Sequence, residues 1–204
     1  ELLETGAEYI NWKDRPDPKS QTGRYRKGIG MARGFHTSGT GAPVPGEVKD
    51  YTTVQVKVNE DGSIDILTAL MDHGGGTLDA AAKLVAEEFS VPFEKIGISP
   101  ADTRSTGYDV CTHATRGVYC GAGAVLEVAK EAKNVLLGYA GRILNAPIDS
   151  LKTKTDEETQ QGLIYVEGMP EKAISIAETA TTAMNYDWGT AIAAKSIRKV
   201  NCPP

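Results

Sequence analysis

The sequence predicts an α+β fold of two layers, in which a β-hairpin is followed by a helix, a strand, a second helix and further strands. Segments 51–58 and 64–68 each alternate apolar with polar residues, and Asp61-Gly62 between them is typical of a hairpin turn. Apolar residues then recur with a helical period over 77–89, and a longer helical segment is predicted from about Ala114 to Leu144. We find no internal repeat at a fixed period, and 204 residues are enough for one sizeable core or two small ones.

The first fifty residues are predicted to form an irregular lead-in with one strand. Residues 11–25 are rich in Pro, Asp, Lys and Gly and have few apolar side chains, which indicates a surface loop. Gly28 to Phe35 is small and apolar enough for a buried strand, and Gly39 to Gly46 is a connector rich in Gly and Pro. The core of the domain is therefore expected over residues 51–150.

Within that core, the first helix has one apolar stripe made by Ala81, Leu84, Val85 and Phe89, and Thr77 is a candidate cap at its start. A short strand is predicted over Lys95 to Ser99, followed by a polar loop from Pro100 to Thr112. Small residues in the first half of the second helix lower its helix propensity but allow another backbone or a ligand to come close; they are Gly117, Gly121, Ala122, Gly123 and Ala124.

Residues 151–204 are predicted to form a C-terminal α/β extension. The polar segment 151–162 is expected to be a loop, and Leu163 to Glu167 a strand. Ser175 to Tyr186 is expected to be a short helix, and Thr190 to Val200 a weak final strand.

The bulk composition excludes several classes of protein. A formal charge of −5 over 204 residues, without a cluster of Lys or Arg, argues against nucleic-acid and anionic-membrane binding. No apolar run reaches the length of a membrane span, and the first residues lack a signal-peptide pattern. Three cysteines and three histidines show neither C-x-x-C nor H-x-x-x-H spacing, so no metal site is predicted, and a reducing, cytoplasmic environment fits.

The strongest functional signal is the run Met71-Asp72-His73-Gly74-Gly75-Gly76-Thr77, which joins a predicted strand to a predicted helix. Glycines admit positive φ and let backbone N–H groups approach a ligand, and a helix start favours an anion. The run matches neither the Walker loop nor the dinucleotide-binding fingerprint. Its alternative interpretation is a strand-to-helix turn that binds no ligand.

A second candidate segment, Thr112-His113-Ala114-Thr115-Arg116-Gly117, places hydroxyl groups and an arginine at the start of the second helix. Two helix starts of this kind could hold one anion between them. Ordinary capping by Thr112 or Thr115 is the alternative.

With these segments in this order, the whole chain resembles the molybdenum-cofactor-binding part of the xanthine dehydrogenase and aldehyde oxidase family, the molybdenum hydroxylases. The resemblance rests on the combination of stretches 5–12, 26–32, 61–63, 72–77, 86–88, 102–103, 112–116 and 121–125. It implies that residues 1–204 are a single fragment of an α+β molybdenum-cofactor-binding domain. Its implied cofactor-binding residues are Gly74, Gly75, Gly76, Thr77, Thr112, Ala114, Thr115 and Arg116.

This chain departs from the family's motifs at two of these positions. The family's glycine turn usually reads Gly-Gln-Gly-Thr, and here Gly75 stands at the position of the glutamine. Loss of that side-chain hydrogen bond removes about 0.5–1.5 kcal/mol. Thr115 replaces a serine and keeps the hydroxyl group.

The resemblance implies an oxidoreductase that hydroxylates an N-heteroaromatic compound or oxidises an aldehyde, with water as the source of oxygen. The implied cofactor is molybdopterin, in its cytosine dinucleotide form for a bacterial source, with iron–sulfur clusters and FAD on other domains or subunits. The implied partners are the remainder of the molybdenum subunit and the iron–sulfur and flavin subunits.

No catalytic residue is predicted in this chain, because the family's general base lies in a Gly-x-Gly-Glu segment that does not occur here. His73 and His113 lie beside the proposed ligand contacts of the two segments but are expected to make local hydrogen bonds. The missing start methionine and early stop favour a piece of a longer subunit, inactive alone; a natural short subunit, as in nicotinate dehydrogenase, stays open. Two alternatives remain for its function: a non-catalytic module that pairs with a partner subunit, or a binder of another phosphorylated ligand.

Overall fold

The computed structural model describes residues 1–34, 51–99, 101–110, 112–186 and 188–198, and for 192–198 it describes the backbone. The chain divides into two compact units, Glu1–His36 and Thr37–Pro204. The first unit contains helix α1 (Leu2–Tyr9) and a 3-10 turn, Trp12–Asp14. The guanidinium of Arg15, which follows this turn, lies 4.4 Å from the centre of the Trp12 ring.

The strand predicted over Gly28 to Phe35 is wrong over residues 28–34, which are irregular and exposed. Gly28, Gly30 and Ala32 supply little apolar surface to bury, so this segment gains little from joining a sheet. Phe35 and the predicted connector from Gly39 to Gly46 lie outside the described residues.

The second unit is built on a four-stranded sheet whose first two strands form the predicted hairpin. Strands β1 (Tyr51–Val58) and β2 (Ile64–Thr68) are antiparallel, and Val56 pairs with Ile66. Alternate residues of both strands are buried, as the alternating pattern predicted. Gly62 in the turn has φ of 78°, a conformation that glycine adopts without strain.

Two further strands complete this sheet: β3 (Ile96–Ser99) pairs parallel with β2, and β7 (Ile192–Arg198) pairs antiparallel with β1. The strand order is β3-β2-β1-β7. Both strands were predicted. The final strand places residues far apart in sequence side by side, since Tyr51 pairs with Arg198.

Helix α2 (Thr77–Phe89) has the predicted bounds, and Ala81, Val85 and Phe89 of its apolar stripe are buried. Helix α3 (Gly123–Leu144) follows a π-helical turn, Gly117–Ala122. The predicted helix start at Ala114 is wrong, because Ala114 and Thr115 have φ of 46° and 59° and cannot continue a right-handed helix.

Helix α3 lies at the centre of the unit and contacts the four-stranded sheet, helix α2 and the second sheet. Its buried face includes many small residues, which permit close packing. They are Ala124, Ala129, Ala132, Ala140 and Gly141, beside the larger Val125, Val128 and Leu136. This helix and α2 cover the apolar face of the sheet, and the two layers enclose the core.

A second, antiparallel sheet consists of β4 (Leu151–Thr155), β5 (Gly162–Val166) and β6 (Met169–Ser175), and helix α4 (Ile176–Asn185) follows it. The strand order is β4-β5-β6. The predicted strand at Leu163 and the predicted helix are confirmed. The loop predicted over 151–162 is wrong for its first five residues, which form the exposed edge strand β4 with a single buried side chain, Leu151.

In the part of the chain that the structure describes, no helix is both long and apolar enough to cross a membrane.

Candidate functional site

The glycine turn connects the end of β2 to α2 and is organised around Asp72. The Asp72 carboxylate oxygen Oδ1 accepts hydrogen bonds from the backbone N–H groups of Gly74, at 2.6 Å, and Gly76, at 3.2 Å. The N–H of Leu78 points to Oδ2 at the longer distance of 3.5 Å. The Asp72 side chain therefore accepts hydrogen bonds from backbone N–H groups that were predicted to bind an anion.

The charge on Asp72 follows from these contacts. Desolvation raises the pKa of its carboxyl group, but the backbone N–H groups of Gly74, Gly76, Leu78 and Gly75 together lower it below the ordinary value. The carboxylate is therefore ionised at neutral pH, and the start of α2 already faces a negative charge.

The glycines themselves leave the outer side of the turn open. Gly74 and Gly76 have φ of 95° and 75°, in the left-handed region that favours glycine. Apart from the adjoining residues of each glycine, no atom of the described residues lies within 4 Å of a Cβ built on Gly74, Gly75 or Gly76. Gly75 does not have a positive φ, so a side chain at this position is sterically acceptable.

The predicted cap, Thr77, is the first residue of α2 and makes no capping hydrogen bond, so that prediction is wrong. The N-cap residue is Gly76, which has no side chain, and the Asp72 carboxylate contacts the first amides of the helix instead. Thr77 is buried and faces Gly117, since a Cβ on that glycine would lie 3.2 Å from Thr77 Oγ1.

The two predicted segments come together in the structure. The Thr112 hydroxyl group donates a hydrogen bond of 2.6 Å to the backbone carbonyl of Met71, immediately before Asp72. Gly117 lies between the segments, because its Cβ would meet both Thr77 and Thr112 at 3.2–3.4 Å. The contact predicted from the small residues of the second helix is thus present at Gly117, and also at Gly121, whose Cβ would lie 2.5 Å from Leu70.

Ala114 and Thr115 give the second segment its shape. Both residues adopt left-handed backbone conformations, which cost non-glycine residues about 1–3 kcal/mol each. The Ala114 side chain is buried and the Thr115 side chain is exposed. Thr115 is therefore the member of this segment whose hydroxyl group is presented to the outside.

Arg116 is the charged member of the eight predicted cofactor-binding residues, and its side chain is fully buried. Its guanidinium forms an ion pair with Asp109 at 3.1 Å and donates to Thr52 Oγ1 at 2.8 Å and to the carbonyl of Tyr51 at 3.3 Å. These contacts join the loop before α3 to the beginning of β1, which is a structural role.

Sequence reasoning missed three features of the site. Asp72, as the acceptor for the turn, has a recognisable signal, because Asp two residues before Gly is typical of an Asx turn. The Met71 carbonyl has none. A groove of about 400 Å³ lies beside Met71 and is also lined by Asp102, Thr103 and Tyr108. Of the residues that line this groove, Met71 and the Asp102-Thr103 pair were singled out in the sequence, but their proximity was not predicted.

Of the two histidines in these segments, His73 is exposed and His113 is half-buried. Among the described residues, no group of three or more His, Cys, Asp or Glu side chains is arranged to hold a metal ion.

The chain is similar to known proteins along its whole length. It is 28% identical over 208 aligned positions to the putative xanthine dehydrogenase molybdenum-binding subunit XdhA of Escherichia coli (strain K12), covering 100% of this chain and 26% of that protein. It is 26% identical to the nicotine 6-hydroxylase large subunit of Paenarthrobacter nicotinovorans, covering 88% of this chain and 22% of that protein. The chain therefore spans about a quarter of the length of these relatives.

The fold is also similar to that of solved structures. The structure of quinoline 2-oxidoreductase from Pseudomonas putida 86 superposes with a TM-score of 0.65 and 24% identity, covering 74% of this chain and 19% of that one. The sequence model of the molybdopterin cofactor-binding domain matches residues 5–200. The chain belongs to the molybdopterin cofactor-binding domain family.

Proposed function

We propose that this chain supplies part of the molybdopterin site of a molybdenum hydroxylase that oxidises an N-heteroaromatic compound or an aldehyde with oxygen from water. The observation that carries the proposal is the family match over residues 5–200, which includes both segments of the candidate site. The relatives point to the same class of substrate, because xanthine, nicotine and quinoline are nitrogen heterocycles.

The geometry fits the cofactor in part. The space within 4 Å of a Cβ built on Gly74, Gly75 or Gly76 is open, so a ligand can approach the backbone of the turn there. The exposed Thr115 hydroxyl group and the backbone of Thr112 and Ala114 are the remaining donors of the second segment. The amides of Gly74 and Gly76 are less available, since they already bind the Asp72 carboxylate.

The role of this chain is to bind and orient, since we assign no catalytic residue to it. Molybdopterin, when bound, supplies the metal centre at which the oxidation takes place. Thr112 holds the second segment against the Met71 carbonyl, and Arg116 fixes the same segment to β1 from the inside. The cytosine dinucleotide form of the cofactor, iron–sulfur and flavin partners and a cytoplasmic location are further parts of this proposal.

A non-catalytic module that pairs with a partner subunit is the second candidate. Gly75 favours it, because this position has no side chain with which to hydrogen-bond the cofactor. A binder of another phosphorylated ligand is a third and weaker candidate, since a negative carboxylate already occupies the turn.

Metal and pterin analysis of the full-length parent protein, purified with its partner subunits, tests the proposal. A Gly75→Gln variant restores the donor that the family usually has, and the open space at Gly75 accommodates it. The control is Gly75→Met, which adds a chain of similar length without an amide group.

We expect about one molybdenum per subunit in the parent, and a slower loss of cofactor on dialysis for Gly75→Gln, by about twofold to tenfold. The Gly75→Met variant should not show this gain. Folded parent protein without molybdenum or pterin in either form, from cells that mature other molybdenum enzymes, would contradict the enzymatic function and support the non-catalytic module.

A further inference from the structure

We infer that Asp72 is a positioning residue that serves as the internal anion of the glycine turn. By this assignment the turn receives its ligand through its open shape and does not bind a phosphate group on the amides of Gly74 and Gly76. The inference rests on the proposed function for the identity of the ligand. The part of the inference that concerns the amides of Gly74 and Gly76 does not depend on which ligand binds.

The hydrogen bonds around Asp72 account for the start of α2. Gly76, the N-cap residue, has no side chain, and Thr77 makes no capping bond. The Asp72 carboxylate reaches Gly74 at 2.6 Å and Gly76 at 3.2 Å, and Leu78 faces it at 3.5 Å. A side chain four residues before the N-cap thus does what a capping residue normally does.

The same contacts exclude a second anion. A phosphate group on the amides of Gly74 and Gly76 would have to displace the carboxylate, or lie against it with like charge. Backbone N–H donors that are already satisfied at 2.6 Å and 3.2 Å offer a phosphate little. The turn can therefore still contact an uncharged part of a ligand.

Asp72 also connects the turn to the second segment. Its neighbour Met71 accepts the hydrogen bond from the Thr112 hydroxyl group through its carbonyl. The two consecutive residues Met71 and Asp72 thus fix the second segment through the backbone and the glycine turn through the side chain. A change at Asp72 is expected to disturb cofactor binding without any contact between Asp72 and the cofactor.

Hydrogen exchange measured by mass spectrometry on the intact parent enzyme, prepared without cofactor, tests the inference on a peptide covering residues 72–80. The Asp72→Ala variant removes the acceptor, and Asp72→Asn keeps one oxygen at the position of Oδ1. The matched control is Asp79→Asn, because Asp79 is an exposed carboxylate in the first turn of the same helix. Each protein is measured with and without inorganic phosphate.

We expect exchange of this peptide to be about fivefold faster in Asp72→Ala than in wild type, and close to wild type in Asp72→Asn and Asp79→Asn. Inorganic phosphate should slow exchange in Asp72→Ala, where the amides are vacated, and have no effect on wild type. In cofactor-loaded enzyme, Asp72→Ala should lose pterin on dialysis faster than Asp72→Asn and Asp79→Asn, so that the conservative variant rescues retention.

Phosphate that slows exchange in wild type would overturn the inference, as would wild-type exchange in Asp72→Ala or the absence of a phosphate effect in that variant. If Asp72→Ala does not fold, the phosphate titration of wild type still decides between the two outcomes. A parent enzyme that contains no pterin contradicts the proposed function and leaves the exchange result on Asp72 standing.

Discussion

Arg116, one of the predicted cofactor-binding residues, makes buried contacts that stabilise the fold. Its guanidinium is buried with the Asp109 carboxylate at 3.1 Å and with the Thr52 hydroxyl group at 2.8 Å. Placing two charges in the interior costs solvation free energy, which is recovered only while both partners are present. The pair is therefore expected to make the loop before α3 sensitive to loss of either residue.

We expect Arg116→Leu to lower the free energy of unfolding by about 3–5 kcal/mol, because it leaves the Asp109 carboxylate in the interior without its cation. Urea unfolding monitored by circular dichroism measures the change. Arg104→Leu, at an exposed position in the preceding loop, is the control and should stay within about 0.5 kcal/mol of wild type. The double variant Asp109→Leu/Arg116→Leu should lose less than Arg116→Leu; an equal or larger loss would show that the charges are not coupled.

Asp61 provides a pH-dependent contribution at the hairpin turn. The hydroxyl group and the backbone N–H of Ser63 donate to its carboxylate at 2.6 Å and 2.9 Å, and these two hydrogen bonds lower the pKa of Asp61. A carboxyl group with a lowered pKa in the folded state stabilises the protein above its unfolded pKa. That stabilisation is lost as the pH falls through the folded pKa.

We expect Ser63→Ala to move the pKa of Asp61 upward, as measured by NMR titration. The stability difference between wild type and variant should be full above about pH 4 and shrink at lower pH. Part of this stability difference should not depend on pH, because Ser63→Ala also removes the hydrogen bond that Asn59 donates to the Ser63 hydroxyl oxygen. Asp156, which accepts from Glu158 and Thr159, is the internal reference and should titrate unchanged. A constant difference across the titration would exclude this role for Ser63.

Among the helices and strands, the sequence could predict those in which buried residues recur with the period of a helix or a strand. The stripe of α2 and the alternation of β1 and β2 are such patterns, and their bounds are correct. The start of α3 has no such pattern, because Ala114 and Thr115 have left-handed backbone conformations that residues of these types rarely adopt. Strand β4 was missed because an edge strand with one buried residue does not differ in sequence from a polar loop.

The candidate site also has features that the sequence could predict and features that it could not. Glycines, hydroxyl groups and their order identified both segments, and the structure brings them together at Gly117. The hydrogen bond from Thr112 to Met71 could not be predicted, because a backbone carbonyl has no sequence signature. The burial of Arg116 was equally inaccessible, since it depends on the distant residue Thr52.

Helix α3 contains two glycines, Gly138 and Gly141, that differ in the space available for a side chain. A Cβ on Gly141 would lie 2.9 Å from the backbone oxygen of Ala146, whereas one on Gly138 would have its nearest neighbour, Ile148, at 3.9 Å. We expect Gly141→Ala to lower the free energy of unfolding by about 1–3 kcal/mol through overpacking. Gly138→Ala should raise it by up to about 1 kcal/mol through helix propensity. Thermal unfolding of both variants measures the difference, and equal effects would contradict the packing of this helix end.

At the scale of the whole molecule, the four-stranded sheet is closed by its most distant strand. Strand β1 lies between β2, which follows it in the chain, and β7. The hydrogen bond from the N–H of Val58 to the carbonyl of Ala191 and the register from Tyr51 to Arg198 run along the full length of β1. Since β1 carries buried residues of the core and contacts α3, loss of β7 would expose the edge of the central strand.

A chain that ends at Gly189 is therefore expected to lose cooperative unfolding, to bind the dye ANS and to associate in sedimentation velocity. The physical reason is that β1 is left with unpaired N–H and C=O groups beside an uncovered part of the core. The full 204-residue chain is the comparison. A synthetic peptide of residues 190–198 is the specificity control: it should restore cooperative unfolding in trans by strand addition, and a peptide with the same residues in scrambled order should not. A truncated chain that unfolds at the midpoint of the full chain would show that the sheet does not need β7.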